Sequence, residues 1–139
     1  MLIQLLYVSQ PVGPITTTVT STILEASIKN NKFQGVTGVL CQGDGIYMQV
    51  LEGERGKVND LYSVIRSDPR HKNVELLLIE DIVQKKYKEW SMKLVHLSKN
   101  DPMVHMHHPE FDPYSATGKD AMKLIEDLIA MGKPILSNS

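Results

Sequence analysis

Apolar residues recur along this chain in two rhythms, one of period two and one near 3.6, and their succession lays out the elements. Residues 2–8 are a dense apolar run of strand length, followed by a loop signal at Pro11, Gly13 and Pro14. From about 17 to 30, Val19, Ile23, Ala26 and Asn30 fall at helical spacing, although the threonines there are mediocre helix formers. Asn30-Asn31, with Gly35 beyond, suits the end of that helix. Residues 36–42 and 46–52 read as strands joined by a hairpin at Gly43-Asp44-Gly45. Val58, Leu61, Tyr62 and Ile65 then share one helical face. That helix stops near Ser67, because Asp68 precedes a proline and is pushed out of the helical region. Residues 74–79 and 90–97 predict two more strands around a charged turn at Lys85, Lys86, Lys88 and Glu89.

The order β-α-β-β-α-β plus one strand predicts an α+β, ferredoxin-like sheet with two helices on one face. The tail differs in composition. His105, His107 and His108, among Pro102, Pro109 and Pro113, predict an irregular stretch. Met122, Ile125, Leu128 and Ile129 predict a helix over about 119–131, packed on the open face of the sheet. The chain therefore divides into a domain over 1–97 and a C-terminal extension over 98–139.

Composition narrows the function classes. The 139 residues carry a net charge of −1 and no basic block, which argues against nucleic acid as a direct partner. One cysteine, Cys41, excludes an internal disulfide and fits a reducing compartment. It lies in an apolar run and reads as an inert buried thiol. The apolar start lacks a basic n-region and reads as a strand, not a signal peptide. No apolar run approaches the ~20 residues that span a bilayer. A cytoplasmic protein with no membrane partner is expected.

Gln49 is the residue that asks for a chemical explanation. It interrupts the strand Ile46-Tyr47-Met48-Gln49-Val50-Leu51, where Tyr47, Gln49 and Leu51 share one face and neither face reads as wet. A buried amide without partners costs roughly 1–3 kcal/mol. Taken alone, Gln49 reads as a structural glutamine bonded to a neighbouring backbone. Other candidate chemistry is thin. The histidine stretch lacks the four-ligand spacing of a structural zinc site and reads as solvated loop. The spacing of Glu52 and Asp68 does not argue for a catalytic carboxylate pair, and no G-x-G-x-x-G fingerprint exists.

Several segments then combine. Tyr7, Asn30-Asn31, Gly35-Val36-Thr37-Gly38-Val39-Leu40, Gln49-Val50-Leu51-Glu52-Gly53, Asp68-Pro69-Arg70-His71 and Trp90-Ser91-Met92 occur in this order. Over about residues 2–96 the series resembles the BLUF domain, a blue-light sensor that uses flavin. The resemblance implies a ferredoxin-like fold with the isoalloxazine ring between two helices, FAD first among FAD, FMN and riboflavin. It implies that Tyr7 donates an electron and a proton, and that the Gln49 amide lies between Tyr7 and the ring. Asn31 would bond the polar edge with Asn30 in support, Ile23 and Ile65 would sandwich the ring, and Asp68 and Arg70 would hold the ribityl chain and phosphate. Trp90 and Met92 would form the switch segment, sharing one face of the last strand.

Four positions depart from the family pattern: Val64, where some relatives carry a phosphate-contacting arginine, Lys86-Tyr87 before the tryptophan, and Tyr47 where phenylalanine is common. The implied function is a photoreceptor with no catalytic activity, signalling through Trp90–Met92 and the extension to a partner protein or an oligomer. The alternatives are a small flavin-dependent oxidoreductase and a light-independent flavin sensor of redox state or temperature. Steady-state NAD(P)H turnover marks the oxidoreductase; a reversible photoshift without turnover marks the photoreceptor.

Overall fold

The apolar runs assemble into one six-stranded sheet. The computed structural model describes residues 1–13, 35–90, 92–98, 100–131 and 136–138. These form β1 (Leu2–Pro11), β2 (Thr37–Gly43), β3 (Ile46–Glu54), α1 (Arg55–Ser67), β4 (His71–Ile82), β5 (Met92–His96), α2 (Pro102–His107), α3 (Gly118–Ala130) and β6 (Leu136–Asn138). The strand order is β4-β1-β3-β2-β5-β6. Each neighbouring pair among the first four strands is antiparallel, as the ferredoxin-like arrangement requires, and β5 adds parallel to β2. The predicted first helix, with Ile23, Asn30 and Asn31, lies outside the described residues. Gly38 lets β2 approach β3 closely: a Cβ there would stand 1.8 Å from the Val50 carbonyl oxygen.

Strand alternation divides the core between the two faces of the sheet. Ile3, Leu5, Tyr7, Tyr47 and Leu51 pack with Val58 and Tyr62 of α1. Leu6, Val8, Cys41, Met48 and Val50 pack with Ala121, Leu124, Ile125 and Leu128 of α3. Each large apolar side chain buried this way contributes about 1.5–3 kcal/mol. The tail helix thus covers the face opposite α1, where the sequence places it. Burial pushes the Cys41 thiol up to about 12, with Asp44 adding to it, so the thiol stays protonated and inert.

Besides the short β6, which no pattern in the sequence predicts, three elements differ from expectation. β4 is longer than its apolar run, because it is an edge strand and its polar ends face water. Its ladder to β1 is broken between Leu6 and Tyr7 and between Val8 and Gln10. The Tyr114 hydroxyl donates to the Asn73 carbonyl at 2.8 Å, anchoring the tail against that strand. Second, β5 begins at Met92 rather than at Trp90. Third, the histidine stretch contains α2, started by Asp101, whose carboxylate accepts from the Met103 N–H at 2.9 Å, with Pro102 in the first turn.

His108 ends α2 and ties it to α3. Its Nε2 lies 2.8 Å from Asp127, whose second oxygen is 3.3 Å from Lys123. These partners, His108 first, hold the Asp127 carboxyl below its usual range. A depressed carboxyl stabilises the fold above its unfolded value and loses that contribution as pH falls through the folded one. Asp127→Asn should therefore lower the melting temperature by about 1–3 °C at pH 7. The gap to wild type should close as pH falls below about 4. Melting curves from pH 7 to pH 3 check this; a gap that stays constant would rule the carboxylate out as its source.

Candidate functional site

The register of β1 on β3 places Tyr7 directly opposite Gln49. Side chains so placed stand 4.5–5.5 Å apart at Cβ, within reach of each other. Both are buried, and the Tyr7 hydroxyl donates to Gln49 Oε1. Gln49 Nε2 donates in turn to the Met92 sulfur at 3.4 Å. A thioether is a weak acceptor, so among the described residues the amide nitrogen has only a soft partner. The line Tyr7–Gln49–Met92 crosses from β1 through β3 to β5. Burial pushes the Tyr7 phenol well above its ordinary value, with Tyr62, Asp68 and Tyr47 adding to the shift. The group is therefore a neutral hydrogen-bond donor at any physiological pH.

α1 forms the wall. The Tyr62 ring lies 5.6 Å from that of Tyr7, tilted by 46°, and Ile65 packs half-buried against the same cluster. The helix ends at Asp68, and the chain turns a charged corner. Arg70 Nη2 lies 2.6 Å from Asp68 Oδ2, Arg70 Nε contacts both carboxylate oxygens, and the Arg70 N–H adds a fourth bond at 2.8 Å. This guanidinium holds the Asp68 carboxyl below the usual range. His71 follows, its Nδ1 3.1 Å from Ser9 Oγ and its ring edge-on to Tyr47 at 5.8 Å. Burial lowers the His71 imidazole below its ordinary value, with Asp68 opposing the shift. The structure thus joins Tyr7, Gln49, Met92 and Ile65, sets Asp68 and Arg70 at one end, and leaves Ile23, Asn30 and Asn31 outside the described residues.

Trp90 is elsewhere. Its N–H bonds to the Tyr87 carbonyl at 3.2 Å and its carbonyl accepts from Gly38 at 3.0 Å. The ring stacks on Tyr87 at 5.4 Å and 10°, with the Lys93 ammonium 3.7 Å from its centroid. It packs against the α3 side of the core, whereas Met92 packs with Tyr7. The expectation that the two share a strand face is corrected. Alternation holds only within a strand, and Trp90 closes a turn before β5 starts.

Glu52, which the sequence offers only as half of an unsupported carboxylate pair, has a structural role. It is fully buried three positions beyond Gln49, on the opposite face. Its carboxylate accepts from the Tyr87 N–H at 2.7 Å, the Lys86 N–H at 3.2 Å and Gln4 Nε2 at 2.9 Å. Lys86 also pairs with Glu126 of α3. The signal was the one that marked Gln49, a polar residue in a buried strand. Glu52→Ala would leave two backbone N–H groups without acceptors, costing roughly 1–3 kcal/mol each. It should lower the melting temperature and shift the emission of Trp90 to the red as the Tyr87 stack loosens. Unchanged emission would mean that this carboxylate does not position the stack.

A phenol–amide pair thus lies buried beneath a helix of a ferredoxin-like α+β domain, with an ionic corner at the helix end. Residues 2–93 match the family model described as sensors of blue light using FAD, and the chain belongs to that family, BLUF. Like its family, it binds a flavin. Photoactivated adenylate cyclase subunit beta of Euglena gracilis is 34% identical over 89 residues, covering 63% of this chain and 10% of that protein. The chain thus spans only a tenth of the length of that curated relative. Among solved structures, BlsA in its photo-activated state superposes with a TM-score of 0.80 at 26% identity, over 100% of this chain and 99% of that one. A bacterial light-regulated adenylyl cyclase superposes with a TM-score of 0.71 at 30% identity, over 94% of this chain and 36% of that one.

Proposed function

We propose that this protein is a blue-light photoreceptor with no catalytic activity of its own. Tyr7 is its photochemical donor and Gln49 its hydrogen-bond switch. The observation that carries this reading is the buried line from Tyr7 through Gln49 to Met92. A bound flavin supplies blue-light absorption and, when excited, the oxidant. Tyr7 is a neutral phenol already bonded to Gln49 Oε1, so electron loss is matched by a proton leaving along that bond. The Gln49 amide has one acceptor end and one donor end, so rotation or tautomerisation reverses its bonding while it stays neutral. Reversal withdraws the N–H from Met92 and changes what holds the start of β5.

The described residues fit such a ligand. Tyr7, Gln49 and Tyr47 give a floor with polar groups, α1 gives an apolar wall with Ile65, and Asp68 with Arg70 would hold the ribityl chain and phosphate. Ile23 would cover the ring from the other side, and Asn30 and Asn31 would bond its polar edge. Val64 is exposed on α1 and Arg70 is committed to Asp68, so the phosphate grip is modest. FAD is the proposed ligand in the cell, and FMN and riboflavin should also bind.

The signal would pass from residues 1–97 to the extension over 98–139 by two links. Met92 opens β5, and Trp90 stacks beside the loop that Lys86 ties to α3. Output then goes to a partner protein or a second copy. Three spectra test the reading. Wild type should show flavin bands that move slightly to the red after a blue flash and return in darkness. Tyr7→Phe should keep its flavin and lose the shift, and a normal shift in that variant would sink the Tyr7 assignment. Gln49→Leu should also keep flavin without the shift; if it cycles like wild type, the switch lies elsewhere.

A further inference from the structure

Tyr47 carries a hydroxyl that no described residue of the protein partners. The side chain is 1% exposed, on the same face of β3 as Gln49 and in the same cluster as Tyr7. Its oxygen is buried and has no hydrogen-bond partner among the described residues. The nearby polar groups are otherwise engaged. Ser9, directly across the ladder, is bonded to His71 Nδ1, and His71 meets Tyr47 only through a ring edge. An unpaired buried hydroxyl is costly, and phenylalanine would fill the same space without that cost. The missing partner is therefore to be sought in something that enters from the face of the sheet.

Position identifies the partner's chemistry. Gln49 lies two residues along the strand on the same face, roughly 7 Å away. On the other side stand His71 and, just before it, Arg70 and Asp68. This inference rests on the flavin placement proposed above, with the ring edge at Gln49 and the chain running to the Asp68–Arg70 corner. Tyr47 then lies beneath the junction of ring and chain, where the flavin carries a row of hydroxyls. We infer that the Tyr47 hydroxyl hydrogen-bonds the ribityl chain of the bound flavin, and that it selects flavins bearing that chain over the bare ring system.

The test uses the full chain freed of flavin, titrated with riboflavin and with lumiflavin, which has the same ring and a methyl group in place of the ribityl chain. Wild type should bind riboflavin more tightly. Tyr47→Phe should weaken riboflavin by about 5- to 10-fold, the worth of one hydrogen bond. Lumiflavin affinity should stay within about twofold, because the ring contacts are untouched. The same variant should raise the melting temperature of the flavin-free protein, since it deletes an unpartnered hydroxyl. Equal weakening of both ligands, no weakening of riboflavin, or equal wild-type affinity for the two would each overturn the Tyr47 role while leaving the flavin site in place. A wild-type protein that takes up neither ligand would overturn the site placement and this inference with it.

Discussion

The antiparallel register of β1 on β3 is the constraint from which the site follows. It sets two polar pairs directly opposite each other, Tyr7 with Gln49 on one face and Gln4 with Glu52 on the other. Each pair satisfies groups that would otherwise be buried without partners. A slip of one residue would turn every side chain of β1 to the wrong face and break both pairs at once. The apolar residues between them, Leu5 and Leu6 against Leu51 and Val50, resist the same slip by packing on opposite faces. Two independent penalties thus hold one register.

β3 serves both faces of the sheet. Gln49 points toward α1, and Glu52 points toward α3 and holds the N–H groups of Lys86 and Tyr87. The segment before β5 is therefore gripped from the strand that carries Gln49, while β5 itself begins with the sulfur that this amide contacts. One strand thus contacts, through side chains three residues apart, elements on both faces of the sheet.

How much of this was legible in the sequence depended on the kind of signal. Central strands are apolar on both faces, so β1, β2 and β3 announce themselves as runs. β4 has wet ends at an edge, and only its middle is visible as a pattern. Gln49 stands out because polarity in a buried strand needs a reason; Glu52 carries the same signal, but at the predicted end of the strand, where a carboxylate can reach water. α2 depends on a cap at Asp101 and on burial of Val104, neither of which periodicity over six residues reveals. Trp90 was placed by extending alternation past the end of a strand, where a turn reverses the outcome. β6 is three residues long and has no rhythm to detect.

The irregular ladder of β4 has a consequence beyond the site. Among the described residues, its twelve residues form an outer edge of the sheet, with Leu76 and Ile79 exposed. A flat strand of that kind is a template for cross-β stacking. The two register breaks against β1 coil it, and the Tyr114 hydroxyl occupies the Asn73 carbonyl at one end. Glu75, Glu80 and Asp81 add repulsion between like strands, so the edge is poorly shaped for a second copy of itself to pair with.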